Sequence, residues 1–448
     1  MLLPVEPIPN PRGHDEFSYL LAADTFAHGR LTNPAPPCWE HIEGFHILVK
    51  PTYMSMYPPA QGLALALGQA AFGHAWWGVW LSAGAMCAAV VWAMLAWLAP
   101  WWAMCGGLLA AMEFGLAHYW MNSYWGGAVA ATGGCLLFGA VARFERGGWR
   151  WMNGLAAGAG LTILAASRPW EGLVFSVPVV LWTLYRLRMR MRRLFAFGLP
   201  CAAVVVAGGA AMMFYFNRVT GDPFLLPHAA SQAQYSVIGP FVWQTRITMR
   251  PFRHDPMKNF ALQQIRELPD TSTLGGWAVE LVKKTRLLIV TYCDVFFFSI
   301  LLITAPVLMQ RARAQLILAF VAVFLIGLSL QRYYLPHYYG PVFGAMFTLQ
   351  TLALRRACHW FRRRLPIRAL ALAAVLASGA FTAWQQGGVR ASPFATNRAA
   401  VQKQLEAEPG KHLVIVRYSP AHNHHEDWVS NRASIEDAKV VWAREVQG

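Results

Sequence analysis

The chain has 448 residues, of which 56% are hydrophobic and only 13% are charged. Soluble domains carry about 25% charged residues, so this composition argues against a soluble globular protein and predicts a polytopic membrane protein. The formal net charge of +16 could indicate nucleic-acid binding. However, the arginines cluster in short loops between apolar runs, so we expect membrane lipids as partners and no nucleic acid.

Ten segments are predicted to be membrane helices. Crossing the hydrocarbon core takes roughly 17–25 mostly apolar residues, and the candidates lie at about 74–98, 101–118, 124–142, 151–167, 171–185, 194–216, 287–309, 314–331, 338–354 and 369–385. The shorter run 59–73 is predicted to be interfacial or re-entrant. The fold class is therefore an all-α polytopic membrane protein.

The orientation follows from the arginine-rich loops between the spans, because such loops stay in the cytoplasm. Four of them satisfy strict alternation when placed there: 143–150, 186–193, 311–313 and 355–368. The bundle then spans 74–385, and three larger regions fall outside: the first loop 1–73, the loop 217–286 and the tail 386–448. The polar and aromatic motifs gather on this outer face.

The tail 386–448 is predicted to be a small α/β domain outside the membrane. Residues 397–410 have a helical pattern, and 412–418 and 439–445 are β-rich. Its histidines are candidate metal ligands, but they lack the spacing of a helical metal site, so a solvated loop is the preferred interpretation. These are His422, His424 and His425.

The stretch "GHDEFSYLLAADTFAHGRL" at 13–31 contains an acidic pair, Asp15 and Glu16, in a chain with few acids. A carboxylate near a sugar carbon can take the proton of an acceptor hydroxyl. Alternatively, Asp15 is the N-cap of the helix that follows it. Tyr57 lies further on, in "MYPPAQG".

These motifs resemble those of the GT-C membrane glycosyltransferases, especially the protein O-mannosyltransferases and the lipid A aminoarabinose transferase type. In that family a first helix leads to an outside loop with an acidic motif, followed by a tyrosine and a Pro-Pro pair. The resemblance implies a bundle of about 10–12 membrane helices. It also leads us to expect that a first helix is missing from the start, or that 59–73 crosses the membrane.

The resemblance implies transfer of a sugar from a polyprenyl-phosphate donor to an acceptor glycolipid, glycan or protein. The reaction would take place on the periplasmic or extracellular face of the inner (plasma) membrane. By match, Asp15 is the general base. Glu16 supports it or binds a divalent metal ion, Mg²⁺ or Mn²⁺, together with Asp15.

A lipid phosphate needs cations and hydrogen-bond donors, and Arg can hold a phosphate through two hydrogen bonds. The outer face offers several candidates for donor or substrate binding, with Arg332 and His337 favoured because tyrosines surround them. The set comprises Arg168, Arg332, His337, Tyr57, His118, Tyr119, Asn122, Arg253 and His254. Alternatively, Arg168 snorkels from a helix end to the interface, and the loop arginines are solvated.

Two acids, Glu113 and Asp294, lie within apolar runs, where charge is expensive and often functional. They keep two other functions open. A lipid-glycan transporter or flippase would line a midplane path with acids, and a related glycan polymerase or ligase would use a lipid-diphosphate donor.

Overall fold

The computed structural model describes residues 8–116, 118–145, 150–187, 191–269, 271, 273–360, 366–386, 392–419 and 422–446. Helices dominate this part of the chain, as predicted. They are α1 (His14–Ala27), α2 (Trp39–Ile42), α3 (Pro59–Phe72), α4 (Trp76–Met94), α5 (Pro100–Phe114), α6 (Gly127–Glu145), α7 (Arg150–Ser167), α8 (Pro169–Leu187), α9 (Met191–Thr220), α10 (Pro227–Tyr235), α11 (Asp255–Arg266), α12 (Leu274–Tyr292), α13 (Val295–Leu308), α14 (Ala312–Ser329), α15 (Phe343–Trp360), α16 (Ile367–Gln386) and α17 (Pro393–Ala407).

The first loop contains more structure than the sequence predicted. Three short antiparallel strands, β1 (Asn33–Pro34), β2 (Ile47–Leu48) and β3 (Thr52–Ser55), form a sheet in the order β1-β3-β2. Helices α1 and α3 pack closely because Gly62 has no side chain: a Cβ there would lie 2.7 Å from the Cβ of Ala22. This packing fixes the helix that carries Asp15 against the start of the bundle.

Five helices in the described part are long and apolar enough to cross a membrane: α4, α6, α9, α14 and α16. Most of α9 is exposed: only 6% of its most apolar 18-residue stretch is buried inside the protein, as expected for a helix that faces lipid. The other predicted spans coincide with α5, α7, α8 and α15, which are shorter or less apolar, and with the pair α12 and α13. The 14 residues of α3 extend over only about 21 Å. The chain is therefore a multi-pass membrane protein.

The prediction of one continuous span at 287–309 is wrong. The structure has two helices there, α12 and α13, which bend by 114° at Cys293 and Asp294. Both residues have extended backbone, and the Asp294 carboxylate accepts the amide of Phe297 at 2.7 Å. This side-chain cap starts a new helix and so explains the break. Similarly, the predicted span at 338–354 begins with a 3₁₀-helix at Pro336–Val342, before α15.

The C-terminal region has the predicted α/β character. Strands β4 (His412–Val416) and β5 (Val440–Arg444) pair in parallel, with His412 opposite Val440, and α17 precedes them. This region contacts the first loop, because the Arg444 guanidinium donates to the Glu43 carbonyl at 2.7 Å and the Ala433 amide donates to Asp24 at 2.8 Å. The two ends of the chain thus meet around α1.

Candidate functional site

Asp15 is the second residue of α1 and its carboxylate takes no part in capping. The N-cap is Gly13, which makes no side-chain cap, so the capping alternative for Asp15 is wrong. Instead, the Tyr57 hydroxyl donates to Oδ1 of Asp15. Burial raises the pKa of Asp15, but His46, His14 and Tyr57 together lower it by more. Asp15 is therefore an ionised carboxylate.

Two histidines flank Asp15. Nδ1 of His14 lies 3.4 Å from Oδ2, and Nδ1 of His46 lies 3.7 Å from Oδ1. One ligand atom from each of the three residues lies within 4.8 Å of the others, a spacing that could hold a metal ion. Burial lowers the pKa of His46 to about 3, which leaves a neutral imidazole, the form that binds metals. Both ring nitrogens of His14 are buried without a hydrogen-bond partner.

Glu16 points away from this cluster. It is 1% exposed, and its two oxygens accept the backbone amides of Arg12 at 2.6 Å and Tyr124 at 2.9 Å. The carboxylate therefore joins the segment before α1 to the loop between α5 and α6. This arrangement gives Glu16 a supporting position, whereas His14 and His46 are the side chains that accompany Asp15.

Arg168 lies on the same site, next to the tyrosines around Asp15. The Tyr57 and Tyr19 rings stack at 4.4 Å, and Arg168 interacts electrostatically with both. Its guanidinium lies over the Tyr338 ring at 4.3 Å and is 8% exposed. It forms no hydrogen bond or ion pair with any residue that the structure describes. Glu171 interacts with it electrostatically, but no described residue accepts its N–H groups, which are therefore suited to bind an anion.

His337 adds an unused polar atom to this site. It is 1% exposed, its Nδ1 lies 3.1 Å from the Tyr119 hydroxyl, and its Nε2 has no partner. Burial is the largest effect on its pKa, which lies well below the usual value, so the ring is neutral. When Tyr119 donates to Nδ1, the ring proton lies on Nε2 and can be offered to a ligand.

Arg332, which was a favoured phosphate ligand because tyrosines flank it in the sequence, directs its side chain to a loop. Its guanidinium donates to the carbonyls of Val242 at 3.1 Å and Gln244 at 3.2 Å, and its own amide donates to Pro240 at 2.7 Å. The side chain is 5% exposed. Arg332 therefore holds the loop before α11 through one guanidinium nitrogen, whereas its Nε is buried without a partner.

The other predicted binding residues lie around the site's margins. Arg253 and His254 both lie near Glu43, at 3.3 and 3.7 Å from its Oε2. Arg253 and Glu43 border a separate cavity of about 580 Å³. His118 packs on Phe114 at 4.1 Å, and Asn122 follows it in the loop between α5 and α6.

The C-terminal histidines lie close to the site and differ in their contacts. The His425 ring lies 5.9 Å from that of His14, and His424 contacts the Gln263 side-chain oxygen. Phe260 of α11 packs against both His14 and His425, with its ring centroid 5.6 Å from each of their rings. The C-terminal region and α11 together cover the Asp15 cluster.

Sequence reasoning missed several residues of the site, namely His14, His46, Glu171 and His228, of which the last two interact electrostatically with Arg168. His14 adjoins Asp15 in sequence, and its type alone could have drawn attention to it. The others come from distant segments, and one sequence carries no signal that joins them. Glu171 is buried, and its Oε1 has no partner.

The helical bundle, with its acidic first loop and its C-terminal α/β region, has the predicted fold class, and solved structures share its fold. Among solved structures it is similar to ArnT from Cupriavidus metallidurans bound to undecaprenyl phosphate. That match has a TM-score of 0.60 and 13% identity, and covers 98% of this chain and 84% of that chain. The apo state of the same protein matches with a TM-score of 0.55 and 13% identity over 96% of this chain and 82% of that one.

The Archaeoglobus fulgidus oligosaccharyltransferase complex with Zn and sulfate is also similar. It matches with a TM-score of 0.54 and 12% identity, over 96% of this chain and 60% of that chain. No protein-family model matches the sequence, and no curated protein matches it. At these identities the likeness is one of fold.

Proposed function

We propose that the protein is a glycosyltransferase that moves a sugar from a polyprenyl-phosphate donor to an acceptor on the outer face of the inner membrane. The observation that carries this proposal is the presence, in one aromatic site, of an ionised carboxylate and a buried guanidinium that donates no hydrogen bond to any described residue. Asp15 and Arg168 both lie close enough to Tyr338 to influence the pKa of its hydroxyl. A fold shared with a protein bound to undecaprenyl phosphate supports the lipid-phosphate donor.

Asp15 takes the proton of the acceptor in this proposal. Its pKa is below the usual value, so it is a weak base before the reaction. Departure of the lipid phosphate leaves an oxocarbenium-like sugar carbon, and the acceptor oxygen that bonds to it becomes positively charged. An oxygen in that state releases its proton readily even to a weak carboxylate base. Proton transfer therefore follows formation of the new bond.

Arg168 holds the departing phosphate. Its guanidinium stays charged and can give two hydrogen bonds to one phosphate group. The neutral ring of His337 can supply a further N–H donor from Nε2. Negative charge that grows on the leaving oxygen is stabilised in a site that excludes most water. These two residues replace Arg332 as the proposed phosphate ligands.

A divalent metal ion fits His14, Asp15 and His46 better than Asp15 and Glu16. The unpartnered nitrogens of His14 supply donor atoms, whereas the Glu16 oxygens accept backbone amides. Two imidazoles and one carboxylate suit Zn²⁺ better than Mg²⁺, which prefers oxygen ligands. When bound, such an ion would supply Lewis-acid polarisation of an oxygen at the site. The three side chains would orient it beside the acceptor.

Transfer from a defined polyprenyl-phosphate sugar by the purified protein tests the proposal. Asp15→Asn should lower the transfer rate about 10²–10⁴-fold, because asparagine keeps the shape but cannot take a proton. Asp24→Asn on the same helix is the matched control, since Asp24 accepts hydrogen bonds from Ala433 and Gln69 away from the site. Near-normal turnover by Asp15→Asn, with a folded protein, would refute the role of Asp15.

A further inference from the structure

A cavity of about 780 Å³ lies at the bend between α12 and α13. This volume is typical of pockets that bind small molecules. Among the described residues, neither Asp15 nor Arg168 lines it. Its wall instead includes Glu113, Asp294, His118 and Arg286, together with apolar side chains of α12 and α13.

The two acids in the wall share one hydroxyl group. Oγ of Ser378 lies 3.0 Å from Oε1 of Glu113 and 2.6 Å from Oδ2 of Asp294. A hydroxyl has one proton and donates one hydrogen bond, so it cannot satisfy two ionised carboxylates at once. Glu113 is 5% exposed and Ser378 is 1% exposed. The group therefore needs a bound proton or a positively charged partner.

His118 independently indicates a ligand in this cavity. The residue is 9% exposed, and its Nδ1 accepts the Trp120 amide at 3.2 Å. The proton of the neutral ring then lies on Nε2, which has no partner among the residues that the structure describes. Because His118 lines the cavity, this N–H can donate to a ligand there. The cavity thus offers a free N–H as well as two acids.

The surroundings of the cavity indicate that its occupant is a lipid. Val282, Val290 and Val295 on the same two helices are 67%, 67% and 66% exposed. In a membrane protein such apolar surface faces hydrocarbon, so the cavity opens beside the acyl chains. An occupant from the bilayer brings its head group to the polar wall.

We propose that this cavity binds a bilayer lipid whose head group carries a primary ammonium and a phosphate, as in phosphatidylethanolamine. An ammonium has three N–H donors, two of which match one oxygen each from Glu113 and Asp294 in the cavity wall. Arg286 and the free N–H of His118 face the phosphate. Both charges of the head group are then neutralised. This lipid site is independent of the proposed transfer reaction.

Binding of short-chain lipids to the purified full chain, measured by native mass spectrometry, tests the proposal. Dioctanoyl phosphatidylethanolamine should bind about tenfold more tightly than the phosphatidylcholine of equal chain length, whose trimethylammonium group has no N–H donor. Glu113→Gln and Asp294→Asn should each weaken binding of the ethanolamine lipid by about tenfold to a hundredfold. Ser299→Ala, on the exposed face of α13, is the control and should leave binding unchanged.

Equal binding of the two lipids by the unaltered protein would overturn the proposal without any variant. Tighter binding of dioctanoyl phosphatidylglycerol than of the ethanolamine lipid would also overturn it, because that result would assign the affinity to Arg286 alone. Should an acid variant fail to fold, the comparison of the three lipids on the unaltered protein still decides.

Discussion

Replacement of Arg168 by glutamine tests the proposed donor site. The guanidinium is buried over Tyr338 and has no ion pair or hydrogen bond within the described structure. A charge-assisted hydrogen bond to a phosphate contributes about 1.5–3 kcal/mol, so its loss should raise the KM for the lipid donor about tenfold to 150-fold. The KM for the acceptor should change little. Because no ion pair is lost, the thermal midpoint should stay the same or rise.

Arg332→Ala is the matched comparison, since it removes a second buried arginine. It deletes the hydrogen bonds to the Val242 and Gln244 carbonyls, and unsatisfied buried groups cost about 1–3 kcal/mol each. We expect a lower thermal midpoint and an unchanged donor KM. Steady-state transfer assays and thermal unfolding in detergent measure both quantities. The assignment fails if Arg168→Gln leaves the donor KM within about twofold of normal, or if Arg332→Ala raises it more.

Three further predictions concern pH, metal and topology. Transfer should stay constant from about pH 7 to about pH 5, because the low pKa of Asp15 keeps it charged and the pKa of His46 is about 3; a loss of rate near pH 6 would contradict this. Chelation of metal ions should lower the transfer rate, and added Zn²⁺ should restore it better than added Mg²⁺. The rate of His46→Gln should respond neither to chelation nor to added metal, whereas Asp24→Asn should respond like the unaltered protein. In intact cells, an impermeant thiol reagent should label the exposed Cys38. In a Cys38→Ser background, the same reagent should leave Arg190→Cys unlabelled, because the loop at 186–193 is predicted to be cytoplasmic. Labelling at position 190 would reverse the predicted orientation.

The positions of the helices could be predicted from the hydrophobic runs, because a helix that is buried in lipid or in the bundle must be long and apolar. This prediction failed at 287–309, where apolar composition continues through a 114° bend that depends on the capping carboxylate of Asp294. The sheet of the first loop was also missed. Its strands have only two to four residues, too few for a periodic pattern to form.

The site was predictable only where its residues share a short motif. Asp15 and Tyr57, which the sequence motifs singled out separately, contact each other in the structure. Choosing between Arg168 and Arg332 required the structure, because both are arginines beside aromatic residues at helix ends. The two arginines differ in their hydrogen-bond acceptors. Arg332 donates to the loop carbonyls of Val242 and Gln244, which lie some 90 residues away in the chain and so could not be identified from the sequence.

The adjacent acids Asp15 and Glu16 acquire different roles from helix geometry. Neighbouring side chains on an α-helix point about 100° apart, so Asp15 and Glu16 can face different surroundings. Glu16 accepts the amides of Arg12 and Tyr124 and thereby fixes α1 to the loop between α5 and α6. Asp15 then projects toward Tyr57 from a helix that cannot rotate without breaking those bonds. A reactive carboxylate needs such positioning, because small displacements from the reacting atoms cost much of the rate.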